Sequence, residues 1–250
     1  MPTITEFAIP PADPPVRGFL HTPDTPAVGA LVLTHGAGGN AQAPLLRALA
    51  ETFSNAGFAV LRCNLPYRQV RSFGPPGPGD AARDRAGLKN AIAALKKIPN
   101  AGADTSASAS PAKTANRDID GPSRLFLAGH SYGGRQASML CAEEPGLAAG
   151  LLLLSYPLHP PRKPEQQRTQ HLPDLRTPAL FVHGTRDPFG SIAELERALK
   201  MIPATTKLLP IDGAGHDLGF KGKENRGELP RTILKEFQQL FGSMASTSGS

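Results

Sequence analysis

A chain of 250 residues with 40% hydrophobic and 19% charged side chains has the composition of a folded globular protein, which excludes an intrinsically disordered one. One domain of that length buries roughly 70–75% of its unfolded surface, enough for a core without staples. The formal charge of +6 comes from 27 basic residues scattered along the chain rather than clustered with stacking aromatics, so a solvated basic surface is expected, with no nucleic-acid partner.

The N-terminal stretch MPTITEFAIPPADPP has no basic run followed by an apolar one, so no secretory signal is expected and a cytoplasmic location is. VRGFLH from Val16 alternates and reads as an exposed early strand. GALVLTH, ending at His35, is a continuous apolar run bounded by glycine, the pattern of a strand covered on both faces. From Ala43, apolar Leu45, Leu46, Leu49 and Phe53 recur three and four apart, which predicts a helix that Gly57 stops. FAVLRCN from Phe58 is a strand, and the segment from Gly79 to Ile98 is a helix with Asp80 as its expected N-cap and Lys96 and Lys97 at the favourable end of the dipole.

The alternation continues with SRLFLAGH as a strand and a helix rich in small residues from Gly133. AAGLLLLS and PALFVHG are further strands; the first is far short of the roughly 18 apolar residues that a membrane span needs, so no membrane partner is expected. SIAELERALKMI is a helix, TKLLPI a strand, and LPRTILKEFQQLF a closing helix. Cys63 and Cys141 are too few for a disulfide framework and are expected as reduced, buried thiols. Strand and helix in turn predict an α/β fold with a mostly parallel central sheet and helices on both faces. We expect one domain over 1–242, interrupted by a flexible Ala/Ser/Pro-rich insertion at 99–123 and followed by a disordered tail at 243–250.

In open parallel sheets reactive groups gather beyond the carboxyl ends of the strands. After RLFLA comes Gly129-His130-Ser131-Tyr132-Gly133, a G-x-S-x-G between a strand and a helix, the context of a strained turn that presents a serine nucleophile. A serine hydroxyl attacks well only when a base takes its proton, and a carboxylate then holds the base in the right tautomer. Asp187 stands after ALFVHG and His216 after LLPI, so the order Ser131, Asp187, His216 follows successive strand ends. Asp212 and Asp217 are rival carboxylates, but both lie on the histidine's own loop, from which the ring is harder to reach from behind.

Acyl transfer also needs donors for the developing oxyanion. The N–H of Tyr132 is one candidate; the second is expected from HGAGGN, at Ala37 or alternatively Gly36. His35, which ends that strand, is expected to hydrogen-bond the loop, with substrate contact as the minor alternative. Asn64 and Tyr67 should lie near the rim, with loop packing the leading reading and substrate contact the alternative. Arg135 is a candidate for an anionic group or a structural ion pair, and His159 and His171 are mobile-cap candidates rather than metal ligands. The proline-rich segment from Ser155 to Leu175 is too short for a lid domain, which predicts an open or shallowly covered cleft and small, accessible acyl substrates. No cofactor and no metal are expected.

Six segments in this order, THGAGGN, RCNLPYR, GHSYGGRQASML, LLLLSYPLHPP, RTQHLPDLRTPALFVHGTRDPFGS and GAGHDL, resemble the α/β-hydrolase fold superfamily from about Val16 to Phe241. More narrowly, they are similar to the group that includes testis-expressed protein 30 and the hydrolase-like domain of the third non-specific-lethal complex subunit, with dienelactone-hydrolase-like bacterial relatives. The resemblance implies Ser131 as nucleophile, Asp187 as acid, His216 as base, and ester hydrolysis in the broad sense. Dienelactone hydrolases proper use a cysteine, so with Ser131 the likeness describes lineage. Because the group includes a chromatin-complex subunit, the alternative is a non-catalytic binding or scaffold module.

Overall fold

A computed structural model describes residues 1–98, 124–220 and 227–246. The strands are β1 (Thr3–Ile9), β2 (Val16–Thr22), β3 (Gly29–Thr34), β4 (Phe58–Cys63), β5 (Leu125–His130), β6 (Gly150–Leu154), β7 (Ala179–Gly184) and β8 (Thr206–Ile211). The helices are α1 (Pro44–Asn55), α2 (Pro66–Val70), α3 (Asp80–Lys96), α4 (Tyr132–Glu143), α5 (Ile192–Leu199) and α6 (Glu228–Ser246). All eight strands form one sheet in the order β1-β2-β4-β3-β5-β6-β7-β8. The six strands from β4 to β8 run parallel, while β2 joins β4 and β1 joins β2 in antiparallel pairs.

The apolar runs of the parallel strands are explained by covering on both faces. Side chains alternate across a strand, so Ala30, Val32, Leu127, Leu151 and Phe181 turn to a core shared with α3, α4 and α5. Leu31, Leu33, Phe126, Leu152 and Val182 turn to the opposite core, shared with α1 and α6. There Phe53, Phe58, Phe126, Phe237 and Phe241 meet at centroid distances from 4.6 to 6.2 Å, mostly edge to face. Each such buried ring contributes roughly 1.5–3 kcal/mol through removal from water.

One element is new and three expectations change. The stretch Thr3–Ile9 is a strand whose largely exposed side chains hide it from a periodicity search; it takes the sheet edge. Consequently β2 is not exposed, and its Val16, Leu20 and His21 are buried. Asp80 is the first residue of α3 rather than its cap; Gly79 occupies the cap at φ +88°, and the Asp80 carboxylate accepts the Gly77 N–H at 2.6 Å and pairs with Arg71. α6 continues to Ser246, past the start of the expected tail. The expected insertion at 99–123 and the remainder of the tail, 247–250, lie outside the described residues.

Strand order reverses between β3 and β5: from β3 the chain steps outward to β4, and from β5 it steps the other way through β6, β7 and β8. The carboxyl ends on either side of that reversal leave a crevice. Among the described residues no lid domain covers it; the connection from β6 to β7 holds a single 3₁₀ turn, Leu172–Asp174. Among the described residues no helix is long and apolar enough to cross a membrane.

Candidate active site

Ser131 joins β5 to α4 with φ +50° and ψ −117°, a conformation that a non-glycine residue holds only when its surroundings over-determine it. Those surroundings are visible. The Ser131 N–H donates to the Leu154 carbonyl at 2.7 Å, and helix α4 closes its first turn from the Arg135 N–H to the Ser131 carbonyl at 3.0 Å. The flanking glycines are steric necessities: a Cβ on Gly129 would lie 2.4 Å from the Gly134 nitrogen, and one on Gly133 would lie 2.4 Å from the His35 carbonyl oxygen.

The structure brings the three strand ends together. His216 Nε2 lies 2.8 Å from Ser131 Oγ, and its Nδ1 lies 2.8 Å from Asp187 Oδ2. A carboxylate only accepts, so Nδ1 carries the ring proton and Nε2 presents its lone pair to the serine hydroxyl. The Asp187 side chain has 0% exposure, and its second oxygen accepts the Phe189 N–H at 2.9 Å. Neither rival acid takes this position: Asp212 accepts from the Thr185 hydroxyl, and Asp217 accepts the Gly219 N–H.

Three residues that periodicity does not single out hold this arrangement. His130, within the G-x-S-x-G itself, donates from Nε2 to the His216 carbonyl at 2.9 Å and so ties the histidine loop to the serine turn. Phe189 packs its ring 4.2 Å from the His216 ring. His183 on β7 donates to the Gly190 carbonyl at 2.8 Å, closing the loop that carries Asp187. Only their adjacency to strand ends marked them in the sequence.

Ala37 and Tyr132 line the same cleft as Ser131 and His216. Tyr132 opens α4, so its N–H has no intrahelical partner. The Ala37 carbonyl is turned away by two donors, the Tyr67 hydroxyl at 2.8 Å and Arg68 Nη2 at 2.9 Å, and Arg68 Nε also binds the Gly39 carbonyl. The Tyr132 hydroxyl donates to buried Asp84, which also accepts the Tyr67 N–H, so the glycine loop and the start of α4 share one brace.

That brace takes up several of the candidate substrate contacts as loop packing, the leading reading for Asn64, Tyr67 and His35, and leaves their substrate-contact alternative without support. Tyr67 is only 3% exposed and supports the glycine loop from behind. Asn64 is spent on the Ala41 N–H at 2.8 Å, which fixes the loop leading to α1. His35 is fully buried, accepting the Leu65 N–H at Nε2 and donating from Nδ1 to the Gly36 carbonyl, in keeping with its expected loop-bonding role. His159 sits beside Glu194 and the Pro160 carbonyl, away from the cleft. His171 bonds the Ser138 hydroxyl at 2.8 Å. Of the softer candidates only Arg135 lines the cleft, and Arg168 joins it without having been singled out in the sequence.

The cleft has a volume of about 1050 Å³. Pro75 and Pro76 from the connection between α2 and α3 form part of its wall, together with Leu45, Leu46 and Phe220. Among the described residues no group of three or more His, Cys, Asp or Glu side chains is arranged to hold a metal. Burial pushes both thiols, Cys63 and Cys141, up to about 12, which keeps them protonated.

Burial also holds the histidines His21, His35, His130 and His171 down to about 4, against an ordinary value of 6.5. Native rings therefore stay neutral in a range where unfolded ones take a proton. The stability this contributes is complete above about 6.5 and is lost as pH falls toward about 4. Urea titrations between pH 7 and pH 4 should show the unfolding midpoint falling steadily; a flat midpoint would mean that these rings protonate inside the native protein.

Several solved structures share this architecture. A dienelactone hydrolase from Anabaena variabilis matches at 20% identity with a TM-score of 0.69, covering 97% of this chain and 98% of its own. A homologue of α/β serine hydrolases from Coxiella burnetii matches at 16% identity and TM-score 0.67, covering 93% and 96%. A serine hydrolase without a lid from Xanthomonas campestris matches at 16% and 0.62, covering 94% of each chain. A family model for the alpha/beta hydrolase domain matches residues 27–241, and with the sheet order and the serine turn described above, the chain belongs to the α/β-hydrolase domain family.

Proposed function

We propose that the protein is a cofactor-independent serine hydrolase that cleaves small carboxylic-ester-type acyl compounds through an acyl-enzyme. The observation that carries this reading is the unbroken hydrogen-bond chain from Asp187 through His216 to Ser131, ending on a serine held at positive φ. Ser131 Oγ attacks the acyl carbon while its proton passes to His216 Nε2, and Asp187 stabilises the resulting imidazolium. The N–H groups of Ala37 and Tyr132 receive the oxyanion; each such donor stabilises the transition state by about 3 kcal/mol. The leaving alcohol takes the proton back from Nε2, and water then repeats the sequence on the acyl-enzyme.

The short β6–β7 connection, with its single 3₁₀ turn, supports accessible substrates rather than long lipid chains. Within the family we place the chain with the testis-expressed protein 30 and non-specific-lethal subunit 3 group on the six segments that resemble it, and we read 1–242 as one hydrolase domain. A fluorophosphonate tests the activity directly, because it reacts only with a serine whose proton has somewhere to go. The expected result is stoichiometric phosphonylation of the folded protein, with peptide mass spectrometry locating the adduct on Ser131. Folded protein that stays unlabelled would refute the reading in favour of a non-catalytic module.

A further inference from the structure

We infer that the cleft contains an anion-binding subsite formed by Arg135 and Arg168, so that its acyl substrates carry a carboxylate or phosphate group beside the ester. The inference deepens the hydrolase reading and rests on it for the word substrate, but the subsite itself stands on separate observations. Both arginines line the cleft that holds Ser131 and His216. Arg135 lies one turn into α4 from Ser131, its N–H donating to the Ser131 carbonyl. Arg168 comes from the β6–β7 connection, which the Tyr156 hydroxyl and the Leu158 carbonyl hold by its backbone.

Several other arginines of the molecule are engaged, and what sets Arg135 and Arg168 apart is that they line the cleft. Arg62 and Arg68 bind backbone carbonyls, Arg71 binds Asp80, Arg83 binds Asp13, and Arg85 binds Glu143. Among the described residues neither Arg135 nor Arg168 has a side-chain hydrogen bond or an acidic partner, and Arg135 Nε is sealed from solvent without an acceptor. The two cations also act on each other: burial and then Arg135 lower the proton affinity of Arg168, and Arg135 helps keep His171 neutral. Two unpaired guanidinium groups on one half-buried wall are unfavourable alone and become favourable around a compact oxyanion, which their donor forks match in charge and shape.

The surrounding groups fit this assignment. Asp217 also lines the cleft, but its carboxylate is engaged by the Gly219 N–H and pairs with neither arginine. Asp174, which reaches His171 electrostatically, is exposed at the end of the 3₁₀ turn and pairs with neither arginine. The remaining wall is apolar, from Leu45, Leu46, Phe189 and Phe220, and suits the carbon skeleton between the ester and the anion.

The test compares two esters of equal chain length, mono-4-nitrophenyl adipate and neutral 4-nitrophenyl hexanoate, on the wild type, R168Q and R168K. Wild type should favour the anionic ester in kcat/KM by at least about tenfold. R168Q should erase most of that ratio through KM, and R168K should restore part of it. Calorimetry with adipate and with inorganic phosphate as separate probes should show binding to wild type that weakens at least about tenfold in R168Q; the tighter probe identifies the oxyanion. Arg168 sits on a loop, so R168Q retains the fold, and R135Q serves as the second variant. Hydrolysis of both esters without preference, and an unchanged ratio in R168Q, would overturn the subsite while leaving the hydrolase. Adipate or phosphate binding that depends on Arg168, with neither ester cleaved and Ser131 unlabelled, would uphold the subsite and overturn the hydrolase.

Discussion

Replacing Ser131 with Ala should lower kcat/KM for short 4-nitrophenyl esters by on the order of 10⁶-fold, with KM little changed. The substitution removes only Oγ, the atom 2.8 Å from His216 Nε2, and keeps the Cβ that the turn already accommodates. The glycine clearances, the Leu154 hydrogen bond and the first turn of α4 therefore survive, and circular dichroism should match wild type. Residual rate is expected from the proposed Ala37 and Tyr132 donors and from substrate binding, which in such sites retain roughly 10³–10⁴-fold over water. Because nucleophile and base act as a unit, adding His216→Ala should cost almost nothing more. Retention of more than about a hundredth of wild-type activity in S131A would remove Ser131 from the nucleophile's role.

Asp187→Asn is the second large effect, expected at about 10⁴-fold in kcat. The carboxylate accepts from His216 Nδ1 at 2.8 Å and from the Phe189 N–H at 2.9 Å. An asparagine can keep one of these through its carbonyl oxygen, so the loop stays shaped. Its amide nitrogen, however, donates toward Nδ1 and favours the tautomer with the proton on Nε2, which then faces the serine hydroxyl with nothing to accept its proton. The loss should fall on kcat with KM close to wild type, and fluorophosphonate labelling should slow in proportion. A loss below about tenfold would mean that the histidine is oriented by something else, His130 through the loop carbonyl being the nearest alternative.

The position of β1 shows where local patterns stop being informative. A strand is legible when its burial alternates or when it is apolar throughout, as in β3 and β5 to β7. β1 carries mostly exposed side chains and is a strand only because β2 offers it an edge to pair with. The cap of α3 failed for a related reason: Asp80 has the right chemistry for a cap, but Arg71 and the Gly77 N–H, both from the preceding loop, recruit its carboxylate one residue later.

By itself the sequence determined the strand–helix alternation, the parallel sheet, and the three strand ends at which Ser131, Asp187 and His216 stand. Each of these is a local property, read from periodicity, from glycines that a tight turn demands, and from residue type at a fixed offset from a strand. Only the tertiary structure decided which neighbouring side chains face the cleft. It turned Asn64 and Tyr67 inward to brace the glycine loop, buried His35, and moved His159 away to Glu194. It also brought in Arg168 from a connection with no periodicity of its own and set it beside Arg135. The direction of a side chain near the cleft is set by partners distant in the chain, such as Asp84 for Tyr132 and Ala37 for Arg68, so it has no signature in the residues around it.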